Sequence, residues 1–135
     1  MKKFFVLLSA VLVISAAISG CVSGKPDYPA LCNVMWVPES GPSGAALQLN
    51  PYGRAAGFTG NNRFFAPAEF DSAGKLRFGA IAMTRAAGPH GEFERRMMQA
   101  LSQTRRWRRN GSTLTLYDQG GSAVMTFHAT AEVSK

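Results

Sequence analysis

Apolar residues alternate with polar or small ones along most of this chain, and one stretch alone repeats at helical spacing. In "AALQLN", Leu47 and Leu49 share a face, and the run stops at Asn50-Pro51-Tyr52-Gly53, a cluster of turn formers. Ahead of it "LCNVMWV" reads as a strand ending at Pro38, so the two make a first pair. "RAAGFTGNNRFFAPAEF" combines small residues, aromatics and glycines, the composition of strands that bend or let another backbone come close. Gly60-Asn61-Asn62 predicts a tight turn inside it, because Gly and Asn accept positive φ at little steric cost. "DSAGK" predicts a second turn, and "LRFGAIAMT" runs on as a strand with Leu76 and Phe78 on one face.

"RAAGPHG" interrupts the alternation and leads into "EFERRMMQALSQT", the predicted helix. Phe93, Met97, Ala100, Leu101 and Thr104 fall on one stripe of it, and Glu92 and Glu94 in the first turn complement the helix dipole. Arg105 and Arg106 do the same at its end. Asn110-Gly111 then predicts a hairpin between "RRWRR" and "STLTLY". A period of two puts Arg105, Trp107 and Arg109 on one face of the first strand, with Arg106 and Arg108 on the other. The pattern amounts to about seven or eight short strands and a single helix, an α+β chain without internal repeats.

The first twenty residues break from this alternation. "MKKFFVLLSAVLVISAAISG" places Lys2 and Lys3 before an uncharged apolar run and ends in "ISGC", a lipoprotein-type signal peptide over residues 1–20. Cys21 would carry the diacylglyceryl group, anchoring the chain in a membrane. The run just misses the ~18 apolar residues of a spanning helix. Val22, not Asp, follows the cysteine, which under lipoprotein sorting rules points to the periplasmic face of the outer membrane. Residues 21–30, rich in Pro and Gly, read as a tether, and 31–135 as one domain. With Cys21 acylated, Cys32 stands alone in an oxidising compartment and is expected as a buried, small apolar residue.

Chemistry-bearing residues are sparse. His90, Glu92 and Glu94 point in different directions on entering a helix, so no metal site is expected, nor any cofactor. There is no Gly-x-Ser-x-Gly elbow, neither histidine has an acidic neighbour placed to orient it, and no Gly-rich phosphate loop with a following Lys occurs. The expectation is a protein without catalytic residues. The formal net charge of +7 and the group Arg105, Arg106, Arg108 and Arg109 around Trp107 suggest contact with an anionic lipid or an acidic envelope protein. An envelope location argues against nucleic acid as partner. The competing expectation keeps Trp107 in the core while Arg106 and Arg108 guard an edge strand. A second candidate site is a pocket between sheet and helix, lined by Phe58, Phe64, Phe65, Met97 and Trp107, for a lipid or small apolar ligand.

The order of these motifs resembles the META domain, the family of HslJ-like heat-shock lipoproteins, over roughly Trp36 to Phe127. The resemblance rests on "GRAAGFTGNNRF", on "LRFGAIAMTRAA", and on the helix followed by "ALSQTRRWRRNGSTLTLYDQGG". It implies a strongly curved antiparallel sheet, half-barrel-like, packed on one helix, together with a non-catalytic binding or scaffolding role linked to stress. Many members have cysteine where this chain has Asn61 and another near Gly88, a pair suited to a disulfide between two loops that this chain does not make. Arg109 stands where an apolar residue is more usual, which implies that the end of its strand lies open.

Overall fold

The computed structural model describes residues 28–130. A helical turn, α1 (Tyr28–Leu31), is followed by β1 (Trp36–Pro38), β2 (Ala46–Asn50), β3 (Arg54–Phe58), β4 (Arg63–Phe70), β5 (Leu76–Phe78) and β6 (Ala82–Met83). The one long helix among the described residues, α2 (Gly91–Gln103), precedes β7 (Arg106–Asn110), β8 (Thr113–Tyr117) and β9 (Ala123–Ala129). The strands form one antiparallel sheet in the order β5-β4-β3-β2-β1-β9-β8-β7, with β6 also on β4. Its two ends meet. The Leu76 N–H donates to the Arg105 carbonyl at 3.1 Å and the Trp107 N–H to the Gly74 carbonyl at 2.8 Å, bringing Lys75 opposite Arg106. The result is the expected α+β half-barrel, nearly closed, with α2 packed on β5 and β9.

Alternation sets the inner face. In β4, Phe64, Ala66 and Ala68 are buried while Arg63, Phe65, Pro67 and Glu69 are exposed. Leu47, Leu49, Leu114, Leu116 and Phe127 come inward from neighbouring strands, and α2 buries Phe93, Met97, Ala100 and Leu101. Burying a Leu or Phe side chain contributes roughly 1.5–3 kcal/mol, so these positions carry most of the stabilisation. Curvature needs Gly57. A Cβ added there would lie 2.3 Å from the Phe64 ring and 2.4 Å from the Ala46 carbonyl oxygen, so only bare backbone fits where β3 bends across the core.

Three elements differ from the sequence reading. "LCNVMWV" is no continuous strand: Asn33 takes φ 59°, its N–H bonds the Leu49 carbonyl at 2.9 Å, and regular pairing starts only at Trp36. "LRFGAIAMT" splits into β5 and β6, because the Gly79 N–H bonds the Pro67 carbonyl at 2.8 Å and the chain leaves the sheet before returning to β4. That break raises the strand total among the described residues to nine. The third concerns the β7–β8 hairpin, which turns at Gly111-Ser112, one residue beyond the expected Asn110-Gly111. Asn110 pairs with Thr113, and Gly111 at φ 59° fills the first turn position that a type II′ turn reserves for glycine.

Candidate functional site

The five residues expected to line a pocket do not share one. Phe64 and Met97 have 0% exposure, so neither offers surface to a cavity even as wide as a water molecule. Phe65 is 58% exposed on the opposite face of β4, as a period of two requires of adjacent residues. Phe58 is half-buried, and the half-buried Trp107 donates its indole N–H to the Asp71 carbonyl at 3.1 Å. The expectation of a pocket between sheet and helix is corrected on that ground: the facing side chains interdigitate there as in any packed core.

The four arginines also separate. Arg105 donates from Nη1 to the Ser102 and Thr104 carbonyls at 3.1 and 2.8 Å, tying down the C-terminal end of α2. Arg109 turns the other way. Its guanidinium lies over the Trp36 ring at 5.1 Å from the centroid, with Nη1 donating to the Ala30 carbonyl at 2.6 Å and Nε to the Gly111 carbonyl at 2.8 Å. Trp36 in turn donates its indole N–H to the Leu31 carbonyl at 3.0 Å. The end of β7, expected to lie open, is therefore held against α1, and the last residues assigned to the tether are folded onto the body. Arg106 and Arg108 are exposed on the outer face, as alternation predicted. Arg109 thus lies at the far end of β7 from Arg105 and Arg106, its guanidinium held on Trp36 and two backbone carbonyls.

A different cluster forms where the sheet closes. Lys75 and Arg77, from β5 and the turn before it, meet Arg105 and Arg106 along a groove of about 580 Å³ that Asp71 and Gln119 also line. Among the described residues none of these four cations lies within ion-pair distance of a carboxylate. Arg77 has Glu69 across from it on β4, beyond that distance. The Asp71 carboxylate accepts from the Ala73 and Lys75 N–H groups at 3.0 and 2.9 Å and shapes the turn. Lys75 and Arg77 escaped the sequence reading because they lie some thirty positions from the arginine run, and only sheet closure unites them.

At the start of α2 a polar network joins three segments. Thr59 (0% exposed) donates from Oγ1 to Glu94 Oε2 at 2.5 Å and accepts from the Asn62 N–H at 3.0 Å. Asn62 (3% exposed) donates from Nδ2 to Glu94 Oε2 and the Ala86 carbonyl, and accepts at Oδ1 from the Ala86 N–H and Thr84 Oγ1. Every polar atom of Asn62's side chain is satisfied, which makes the network a structural clasp. Next to it Asn61 Oδ1 accepts from the His90 N–H at 3.2 Å. Contrary to the expectation from sequence, His128 has an acid beside it, Glu39 at 3.7 Å, brought there by β1–β9 pairing, with Thr113 Oγ1 3.4 Å from its other ring nitrogen. Both partners are largely exposed, so the pair is weak. Cys32 is buried and has no partner among the described residues, and desolvation pushes its thiol above the ordinary value. Cys21 and the leader lie outside the described residues.

A filled half-barrel with a cationic seam on its surface and a buried polar clasp at the start of α2 defines a small domain of the α+β class. The META domain profile matches residues 31–131, and the chain belongs to that family, in agreement with the motif resemblance. It is 25% identical to a protein from Burkholderia xenovorans, and its fold matches that NMR structure with TM-score 0.60 over 77% of this chain and 86% of that one. Two other solved structures share the fold alone. One is a DUF4847 family protein from Bacteroides vulgatus (13% identity, TM-score 0.52, 66% of this chain and 61% of that one). The other was solved by NMR (21% identity, TM-score 0.57, 74% and 92%). No curated protein matches the sequence at a significant level.

Proposed function

We propose that this META domain protein is a lipid-anchored, non-catalytic binding or scaffolding module at the periplasmic face of the outer membrane, engaged under envelope stress. The observation that supports it is the solid interior: with Phe64, Met97, Leu101 and Trp36 all at 0% exposure, recognition is left to the outer surface. A carrier would need a hollow between sheet and helix. The anchor rests on the "ISGC" step behind an apolar leader and on Cys21. Growth with labelled palmitate should mark the wild-type product in the outer-membrane fraction, and Cys21→Ser should abolish the label. An unlabelled product recovered from the cytosol would end this reading. Native mass spectrometry from about 0.5 M ammonium acetate, where headgroup contacts are screened, should show the chain carrying its covalent acyl groups alone, whereas an apolar ligand still bound would restore the carrier.

A further inference from the structure

We infer that the groove at the sheet seam binds the phosphate of an anionic phospholipid headgroup. This rests on the proposed anchoring and adds what the body does once it is held at a bilayer. Lys75 and Arg106 stand directly opposite one another across the closing contact, a like-charge pairing that costs stability when nothing lies between the two. Arg77 and Arg105 line the same groove, and against these four cations it has one carboxylate, Asp71, already engaged by two backbone N–H groups.

The cations are held on a fixed frame. The Leu76–Arg105 and Trp107–Gly74 backbone bonds clamp the two strand ends, and Gly74 at φ 105° lets the turn lie flat on β7, where a Cβ would come within 3.2 Å of the Trp107 carbonyl. The four line the groove from a turn, the middle of β5, the start of β7 and the end of a helix. A tetrahedral phosphate, accepting along several directions, matches that spread better than a planar carboxylate, which one guanidinium fork satisfies.

Geometry also brings lipid within range. Cys21 and Tyr28 are seven residues apart, a reach of at most about 25 Å. The tether's end docks beside the Asn110 end of β7, and the groove opens at the Arg106 end, about 13 Å away along the strand. The groove therefore stays close to the headgroup layer, where effective concentration replaces high intrinsic affinity.

The test uses the full lipidated chain reconstituted into vesicles of phosphatidylcholine, alone or mixed with phosphatidylglycerol. The rate at which an amine reagent modifies Lys75 is read by peptide mass spectrometry. Phosphatidylglycerol should slow it about five-fold, and salt at about 0.5 M should restore it. The double variant Arg77→Gln, Arg106→Gln should lose the protection while keeping the wild-type circular dichroism spectrum. Equal rates in the two vesicle types, or protection that survives in the variant, would refute the groove assignment. Inorganic phosphate protecting Lys75 on neutral vesicles as well as phosphatidylglycerol does would overturn the lipid as its source. If the chain fails to float with neutral vesicles, the anchoring reading has failed. The same labelling with preformed phosphatidylglycerol vesicles then judges the groove separately.

Discussion

Asn61 and Gly88 show how a single residue can take over a loop's fastening. A Cβ built on Gly88 would lie 3.5 Å from the Asn61 Cβ and 2.3 Å from its Oδ1. The first distance falls within the range spanned by disulfide-bonded cysteines. The second shows that Asn61 fills the space a second side chain would need, and from there it holds the His90 N–H. The cysteine pair suggested by the family resemblance is thus replaced by an amide and a glycine that leaves room for it. Restoring it as Asn61→Cys with Gly88→Cys should give a bridge under mild oxidation, seen as the loss of two hydrogens by mass. The bridge should contribute ~2 kcal/mol after the lost His90 contact is counted, raising Tm by roughly 10 °C, and dithiothreitol should reverse the gain. Motif comparison located these two positions, but the clasp through Thr59, Asn62 and Glu94 was illegible, because Glu94 lies more than thirty residues from the other two and meets them only when α2 docks.

At the scale of elements, α1 is the one least determined by its own residues. Four residues cannot make a stable isolated helix, and this turn persists through contacts supplied from β1 and β7. Arg109 is central to it, since one planar fork covers the Trp36 face and bonds carbonyls on α1 and on the hairpin turn. Lysine cannot span the three. Arg109→Lys should cost ~1 kcal/mol and act locally, speeding exchange of the Asn33 amide by about ten-fold while Tm moves by only a few degrees. The opposite case is α2, whose stripe of Phe93, Met97, Ala100, Leu101 and Thr104 was fully legible and is fully buried. Helical period in the sequence and burial against a curved sheet coincide there, so no outside information was needed. For β7 the alternation was legible too, yet the destination of each arginine was not, because period fixes the face of a strand and not what lies beyond its ends.

At the scale of the whole molecule, closing the sheet between β5 and β7 gathers charge that is dispersed along the chain. A body of net positive charge with like charges opposed at its seam should gain stability as salt screens them. Scanning calorimetry between about 10 mM and 0.2 M NaCl should show Tm rising. Lys75→Glu, which puts a carboxylate opposite Arg106, should raise Tm by roughly 2–4 °C at low salt and flatten its salt dependence. A Tm insensitive to salt in the wild type would mean that the seam cations are already compensated. The same substitution should weaken flotation of the unacylated Cys21→Ser chain with phosphatidylglycerol vesicles, so stability and headgroup binding trade against each other at one position.

The sequence by itself determined the local geometry: alternation chose which side chains face inward, helical spacing chose the buried stripe of α2, and the glycine and asparagine turns chose where strands reverse. These are short-range constraints, set by backbone sterics and by the free energy of removing apolar surface from water. Only the tertiary structure decided that Lys75 and Arg77 join Arg105 and Arg106, that Arg109 belongs to Trp36, and that Phe64 and Phe65 serve different faces of a filled barrel. Such groupings depend on the register and closure of nine strands, where a shift of one residue exchanges the two faces of the sheet.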